Sequence, residues 1–451
     1  MLTLVELSRR LAHGEVSARS LVEESLSRIM DPRGEGTRAF ISVSGESARA
    51  RADEVDRRRA AGQALPAFAG IPLAIKDLFD VAGEVTRAGS RILASRPPAA
   101  RDAPVIARLR AAGFIFIGRT NMTEFAYSGV GLNPHYGTPL STFDRTTGRI
   151  PGGSTSGGGV AVADGMAAAS LGTDTGGSCR IPAAFNGIVG FKPTASRVPR
   201  DGAFPLSQTL DSVGPLAPST ACCAALDAIL RGVDPQPLAD TPLNRVRLLL
   251  PTTLVLDETD ESVARAFERA IEALARAGVT VVRQPLDELQ RIPQINSGGG
   301  LAAAEAYAVH RTLLEQHREE QHREQYDPRV SMRILKGRDV NADEVRKARA
   351  AVIDSMNSST RGFDALVMPT VPVIPPPLAA FEKDADYVRL NALVLRNPSL
   401  ANFLDRCSIS LPIHRPGEAP VGLMLIGHHD EDERLFSVAN AIERSGLVHR
   451  T

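Results

Sequence analysis

No tryptophan occurs in the 451 residues, and phenylalanine and tyrosine together number only 20. With no basic-aromatic cluster either, the chain lacks the stacking platform on which single-stranded nucleic acid is held. Nor is there an excess of charge. Lys and Arg total 52 against 52 Asp and Glu, whereas a general polyanion binder needs a surplus of cations facing phosphate. Four cysteines (Cys179, Cys222, Cys223, Cys407) are too few for a disulfide framework in a chain this long, and no two have the C-x-x-C spacing of a zinc site. No stretch approaches the roughly 18 apolar residues of a membrane span, and the opening MLTLVELSRRLAHGE has no basic-then-apolar leader. The expectation is a reduced, soluble, cytoplasmic protein that meets neither nucleic acid nor membrane. A hydrophobic fraction of 43% with 23% charged residues is ample for a large core.

Hydrophobic periodicity predicts alternating helices and strands. Thr3 and Glu6 have capping-box spacing at the start of a first helix. A second amphipathic helix carries Leu21, Val22, Leu26 and Ile29, and residues 44–61 form a charged surface helix ending before Gly62. After Pro66 come short apolar runs at 71–75, 114–117, 168–173, 246–250, 280–282 and 421–426, several with no polar alternation, as in strands buried on both faces. Helices are expected near 103–112, 261–277 and 431–444, and a polar helical excursion over about 300–360. The expected fold class is α/β: one large α/β/α domain over residues 1–451, with a mixed central sheet covered by helices. Its N-terminal helices would span 3–61 and its catalytic core about 66–216.

Chemistry concentrates between Gly70 and Pro215. Only five lysines stand beside 47 arginines, so a lysine ending an apolar strand is conspicuous, and Lys76 does so in Gly-Ile-Pro-Leu-Ala-Ile-Lys-Asp. Burial there would disfavour its ammonium and make it a base near neutral pH; pairing with Asp77 or Asp80 is the plainer alternative. A glycine-serine loop, Gly152-Gly-Ser154-Thr155-Ser156-Gly-Gly-Gly159, opens a helix of small residues. It lacks the ending of a Walker loop, and a flexible turn would explain it equally well. In Asp174-Thr-Gly-Gly-Ser178-Cys-Arg180 two glycines allow a tight turn whose N–H groups converge beside Ser178, as an oxyanion hole requires. Of nine histidines, His317 and His322 do not share a helix face as a metal pair should, and only His135 and His414 could approach a site. Neither a G-x-S-x-G elbow nor S-x-x-K is present, which leaves a lysine-based serine hydrolase.

Taken together, Gly70-Ile-Pro-Leu-Ala-Ile-Lys-Asp, Gly-Gly-Ser154-Thr-Ser-Gly-Gly, Asp-Thr-Gly-Gly-Ser178-x-Arg-x-Pro-Ala-Ala and Gly190-Phe-Lys-Pro-Thr194 resemble the amidase signature family. Ser154 and Ser178 lie 24 residues apart, the family's spacing for its two catalytic serines. The likeness extends through Arg119–Phe125, Leu210–Pro215 and Pro420–Gly427. It implies a Ser-cisSer-Lys mechanism without metal or other cofactor. Ser178 would attack an amide carbonyl to form an acyl-enzyme. Ser154, after a cis or strained peptide, would relay the proton, and Lys76, neutral at rest, would be the base. The N–H groups of Thr175, Gly176, Gly177 and Ser178 would hold the oxyanion, with Asp174 and Arg180 as supports of the loop and Cys179 a small buried residue.

Three functions follow as expectations. The first is an amidase releasing ammonia or an amine from a small carboxamide, similar to family members of the allophanate, indoleacetamide and carboxybiuret hydrolase type, which the segment Ala401–Pro412 resembles. The second is the A subunit of the tRNA-dependent glutamine amidotransferase. The third is an inactive binding protein on the same fold, against which the retained Lys76, Ser154 and Ser178 argue. Thr155-Ser156 and the segment Leu140–Arg145 depart from common family forms and blur the substrate. Met122, Phe125, Tyr127, the Ser297–Gly300 segment and Asn402–Cys407 are the expected substrate contacts by position. The expected partner is a small-molecule amide, with a homodimer left open.

Overall fold

A computed structural model describes residues 1–316 and 325–447; His317 and His322 lie outside them. Its strands are β1 (Phe40–Val43), β2 (Pro72–Lys76), β3 (Ile115–Thr120), β4 (Ala169–Asp174), β5 (Val189–Lys192), β6 (Ser212–Ala217), β7 (Arg247–Pro251), β8 (Thr280–Gln284), β9 (Ala365–Pro369), β10 (Ser408–Pro412) and β11 (Gly422–Ile426). They form a single 11-stranded sheet in the order β1-β3-β2-β4-β6-β5-β10-β11-β9-β7-β8. It has two parallel groups, β3-β2-β4 and β9-β7-β8, with β1 added antiparallel to β3 at one edge. An antiparallel centre from β4 to β9 joins them. The expected mixed sheet is present, and because it runs from residue 40 to 426 the excursion at 300–360 belongs to the same domain.

The buried apolar runs form as the pattern predicts. Every residue of β2, β4, β9 and β11 is buried, as helices cover both faces. The N-terminal helix Leu4–Ala12 is capped by Thr3, whose Oγ1 accepts the Glu6 N–H at 3.2 Å. Among its described residues the excursion holds helices Gly300–Gln316, Pro328–Lys336 and Ala342–Ser359, and 317–324 lie outside them. Strands β1, β5, β6, β9 and β10 have no counterpart among the expected apolar runs. Three of them carry small or polar residues in their ladders, such as Gly190, Ser212, Gly214, Ser408 and Ser410, which leave no long apolar run to read. Likewise β3 continues past Ile117 to Thr120, because Gly118-Arg-Thr is paired on one side by β1 and on the other by β2. No helix among the described residues is long and apolar enough to cross a membrane.

Two parallel neighbours, β2 and β4, place the chemistry. Ile75 lies opposite Leu171, so Lys76 and the Thr173–Asp174 end of β4 emerge at the same carboxyl edge of the sheet. Edges of this kind, outside the carboxyl ends of parallel strands, are where α/β sheets collect ligands.

Candidate active site

Lys76 closes β2 with no exposed surface. Its Nζ donates to Ser154 Oγ at 2.8 Å and to Thr173 Oγ1 at 2.9 Å, and both partners are neutral hydroxyls. Burial pushes the lysine down to about 8, although Asp174 and Asp211 favour its charged form. Pairing with Asp77 is ruled out: that carboxylate faces Arg119 at 3.5 Å and Arg87 at 3.8 Å and accepts the Gly89 N–H. Asp80 is engaged by Thr86 Oγ1 at 2.6 Å. The sequence-based alternative of a structural ion pair therefore falls.

Ser154 follows a cis Gly153–Ser154 peptide bond, and a helix begins two residues later, Ser156–Ala163. The glycine-serine run is thus the first turn of a buried helix rather than a flexible turn. Thr123 N–H donates to the Ser154 carbonyl at 3.1 Å, and Thr155 N–H reaches the Ser178 carbonyl at 3.3 Å, tying the two serine loops together.

Ser178 lies on the turn between β4 and the helix Arg180–Asn186. Asp174 shapes that turn from within. Its Oδ1 accepts the Gly177 N–H at 2.8 Å and its Oδ2 the Cys179 N–H at 3.0 Å. The Arg180 guanidinium grips both oxygens, at 2.9 and 3.1 Å, and Asn402 Nδ2 adds a contact of 2.9 Å. Burial works to raise the Asp174 carboxyl, but the Arg180 charge and these hydrogen bonds win and hold it well below the usual carboxylate range. Charge-assisted, bidentate pairs of this sort are the strong ones. Gly177 needs its missing side chain: with φ of 129°, a Cβ would come within 2.6 Å of Ile181 Cδ1 and Pro398 Cβ. The arrangement corrects one expectation. Because the Gly177 N–H belongs to Asp174, it is not free for a substrate oxygen. Among the described residues no protein acceptor takes the N–H groups of Thr175, Gly176 and Ser178, so three donors of the expected four remain. Cys179 is fully buried, and burial pushes its thiol up, as befits an inert residue.

Ser178, Thr175 and Gly176 open onto a cavity of about 700 Å³, within the usual size of a small-molecule pocket. Of the expected substrate contacts Tyr127 lines it, together with Ser297, Gly299, Asn402 and Phe403. Met122 and Phe125 do not. The backbone turns at Phe125 and Ala126, with φ of 51° and 59°, which sends Tyr127 to the cavity. It leaves Phe125 packed on Phe204, His310 and Tyr326 at ring distances of 4.3 to 5.5 Å. Met122, fully buried, lies against Gly89. His135 is held by Glu124 at 3.0 Å, and neither it nor His414 reaches the cavity.

Several site residues escaped the sequence reading. Thr173, the second partner of Lys76, could have been inferred from the strand period, since it ends the run 168–173 on a strand next to β2. The cationic wall could not. Arg329, Arg333, Lys336, Arg389 and Arg396 line the cavity against a single carboxylate among the described residues, Glu258. Arg329 is neutralised by Asp384 at 2.9 Å. Arg333 instead lies over the Tyr127 ring, 4.6 Å from its centre, and has no carboxylate partner among the described residues.

The chain is similar to known proteins along nearly its whole length. A model of the family described as Amidase matches residues 20–436. The chain is 36% identical to the 2-amino-5-chloromuconic acid deaminase of Comamonas testosteroni, across 98% of this chain and 96% of that protein. It is 32% identical to the A subunit of the glutamyl-tRNA(Gln) amidotransferase of Cupriavidus necator, across 99% and 97%. A crystal structure of an amidase superposes with a TM-score of 0.88 at 32% identity, covering 98% of this chain and 100% of that one.

Proposed function

This chain belongs to the amidase family, whose members are hydrolases of C–N bonds, and on that premise we propose that it hydrolyses a small carboxamide through a seryl acyl-enzyme. The observation that carries the reading is the buried contact of Lys76 Nζ with Ser154 Oγ at 2.8 Å, made with no carboxylate at the amine, one tied backbone loop away from Ser178. In the first half-reaction Ser178 Oγ attacks the amide carbonyl. Its proton passes to Ser154 as the Ser154 proton passes to neutral Lys76, and the lysinium returns a proton through Ser154 to the departing nitrogen. The oxygen, now negative, is met by the N–H groups of Thr175, Gly176 and Ser178. Water then repeats the sequence on the ester and releases the carboxylate. Nothing in this scheme calls for a histidine.

The cavity wall narrows the substrate. Arg333, beside Tyr127 and with no carboxylate partner among the described residues, favours an acyl portion that carries a negative charge. The 2-amino-5-chloromuconic acid of the Comamonas relative's name likewise carries carboxylates, though no amide. A second reading, supported by the similarity to amidotransferase A subunits, is that the same serine chemistry feeds a partner protein.

The test is ammonia release from a panel of small amides by the purified chain alone. Turnover that vanishes in Ser178→Ala, with circular dichroism unchanged, is expected. An active-site fluorophosphonate should label Ser178 in the unaltered protein. Labelling without turnover would favour the second reading, and absence of both would overturn the hydrolase assignment.

A further inference from the structure

One carboxylate reaches the N–H nest from the neighbouring strand. Asp211 immediately precedes β6, which runs antiparallel to β4 with Ser212 opposite Asp174. Continuing that register by one residue sets Asp211 opposite Thr175, and directly opposed side chains share a face. They meet: Thr175 Oγ1 donates to Asp211 Oδ1 at 2.5 Å. The other oxygen accepts the N–H groups of Leu206 and Ser207, at 2.9 and 3.0 Å. Leu206 lines the cavity with Ser178. A single carboxylate thus joins the nest to the cavity wall.

The same face of β4 carries the second partner of Lys76. Side chains two apart on a strand point the same way, so Thr173 and Thr175 stand in line, roughly 7 Å apart by the rise of two residues. Thr173 touches Lys76 and Thr175 touches Asp211, and an anion placed along that line, behind walls that exclude much of the water, favours the charged form of a lysine. The other acidic groups around Asp211 are already matched. Asp174 is paired with Arg180. Glu305, from the helix Gly300–Gln316, accepts from Ser207 Oγ and from Thr209 and pairs with Arg346. Arg200 donates its Nη1 to the carbonyl of Asp211, at 3.2 Å, rather than to the carboxylate. Among the described residues the Asp211 carboxylate has no ion-pair partner.

We propose that Asp211 is a positioning residue of the reaction: it locks Thr175 and the nest to the cavity wall, and its charge contributes to the proton affinity of Lys76. The inference rests on the Lys76–Ser154–Ser178 reading above. Burial pushes the Asp211 carboxyl up to about 6, below the range in which Lys76 titrates, so it is ionised when the lysine gives up its proton.

Two substitutions separate position from charge. Asp211→Asn removes the charge, yet its amide can donate to Thr175 Oγ1 while its oxygen accepts from Leu206 and Ser207. Asp211→Ala removes both. In Asp211→Asn the midpoint of the acidic limb of kcat/KM should move down by about half to one pH unit, with kcat retained to within a few-fold. In Asp211→Ala, kcat should fall by about tenfold or more, KM changing little. With five lysines in the chain, Lys76 can also be titrated without turnover by NMR of ε-13C-lysine-labelled protein, its signal assigned by its loss in Lys76→Arg. An unmoved Lys76 midpoint in folded Asp211→Asn overturns the charge role. Unaltered kcat in folded Asp211→Ala overturns the positioning role. If the unaltered protein hydrolyses no amide while the NMR midpoint still moves, it is the hydrolase reading that fails and the link between Asp211 and Lys76 that stands.

Discussion

A lysine ammonium in water keeps its proton up to about pH 10.4, so an unperturbed lysine is a poor base near neutrality. Lys76 escapes this because the sheet buries it entirely and offers its Nζ two hydroxyls but no direct carboxylate. With its proton affinity down to about 8, activity that requires the neutral amine should be low at pH 6, rise through pH 8 and level off above. Lys76→Arg discriminates this role from a structural one. Arginine keeps the charge and nearly the reach but cannot give up its proton in this range. Its kcat/KM should fall on the order of 10² to 10⁴-fold, the usual contribution of a positioned base, with the circular dichroism spectrum unchanged. A folded Lys76→Arg protein that retains most of its activity would remove lysine from the mechanism.

At the scale of elements, the helix Ser156–Ala163 shows why a loop-like sequence can be a rigid part. Its first turn contains three consecutive glycines, ordinarily unfavourable in a helix by about 1 kcal/mol each relative to alanine. Here each marks a close approach. A Cβ on Gly157 would fall onto the carbonyl of Ala39, one on Gly158 would come within 2.5 Å of Ser170 Oγ, and one on Gly159 within 2.9 Å of Pro182 Cβ. The helix is pressed between the β1 entry, β4 and the helix behind Ser178, which fixes Ser154 at its head. Gly157→Ala, a change that would stabilise a solvated helix, should therefore lower stability here, by about 1 to 3 kcal/mol from overpacking. Urea unfolding of the variant measures it directly. A neutral or stabilising result would mean that the helix has room to shift, and that Ser154 is held by something other than this packing.

At the scale of the whole molecule, legibility depended on whether a feature was contiguous in the chain. Lys76, Ser154 and Ser178 were readable because each sits in a short motif with its own glycines, and the apolar runs of β2, β4 and β11 stood out against polar neighbours. Strands β5, β6 and β10 were not, since their small and hydroxyl residues acquire burial only from the helices laid over them. Met122 and Phe125 were misplaced for a related reason: a turn through positive φ at Phe125 and Ala126 redirects the chain, and no residue type there announces it. Arg333 is the extreme case, one arginine among 47, brought to the cavity by a helix far along the chain from Ser178. Its meaning emerges only against the charge of the whole chain. With cations and anions equal at 52, no global field draws anions in, so any preference for a charged substrate must come from the local cavity wall. Succinamic acid and butyramide, close in length and differing in one carboxylate, make the comparison. A charge-assisted contact of about 1.5 to 3 kcal/mol should favour succinamic acid by about 10- to 100-fold in kcat/KM, chiefly through KM. The preference should persist as ionic strength rises, because it does not rely on long-range attraction. In Arg333→Met the ratio should collapse to within a few-fold of unity, whereas Arg333→Lys should retain part of it. Equal rates on the two amides, or an undiminished ratio in Arg333→Met, would show that this wall does not read charge and would return the substrate to the neutral carboxamides.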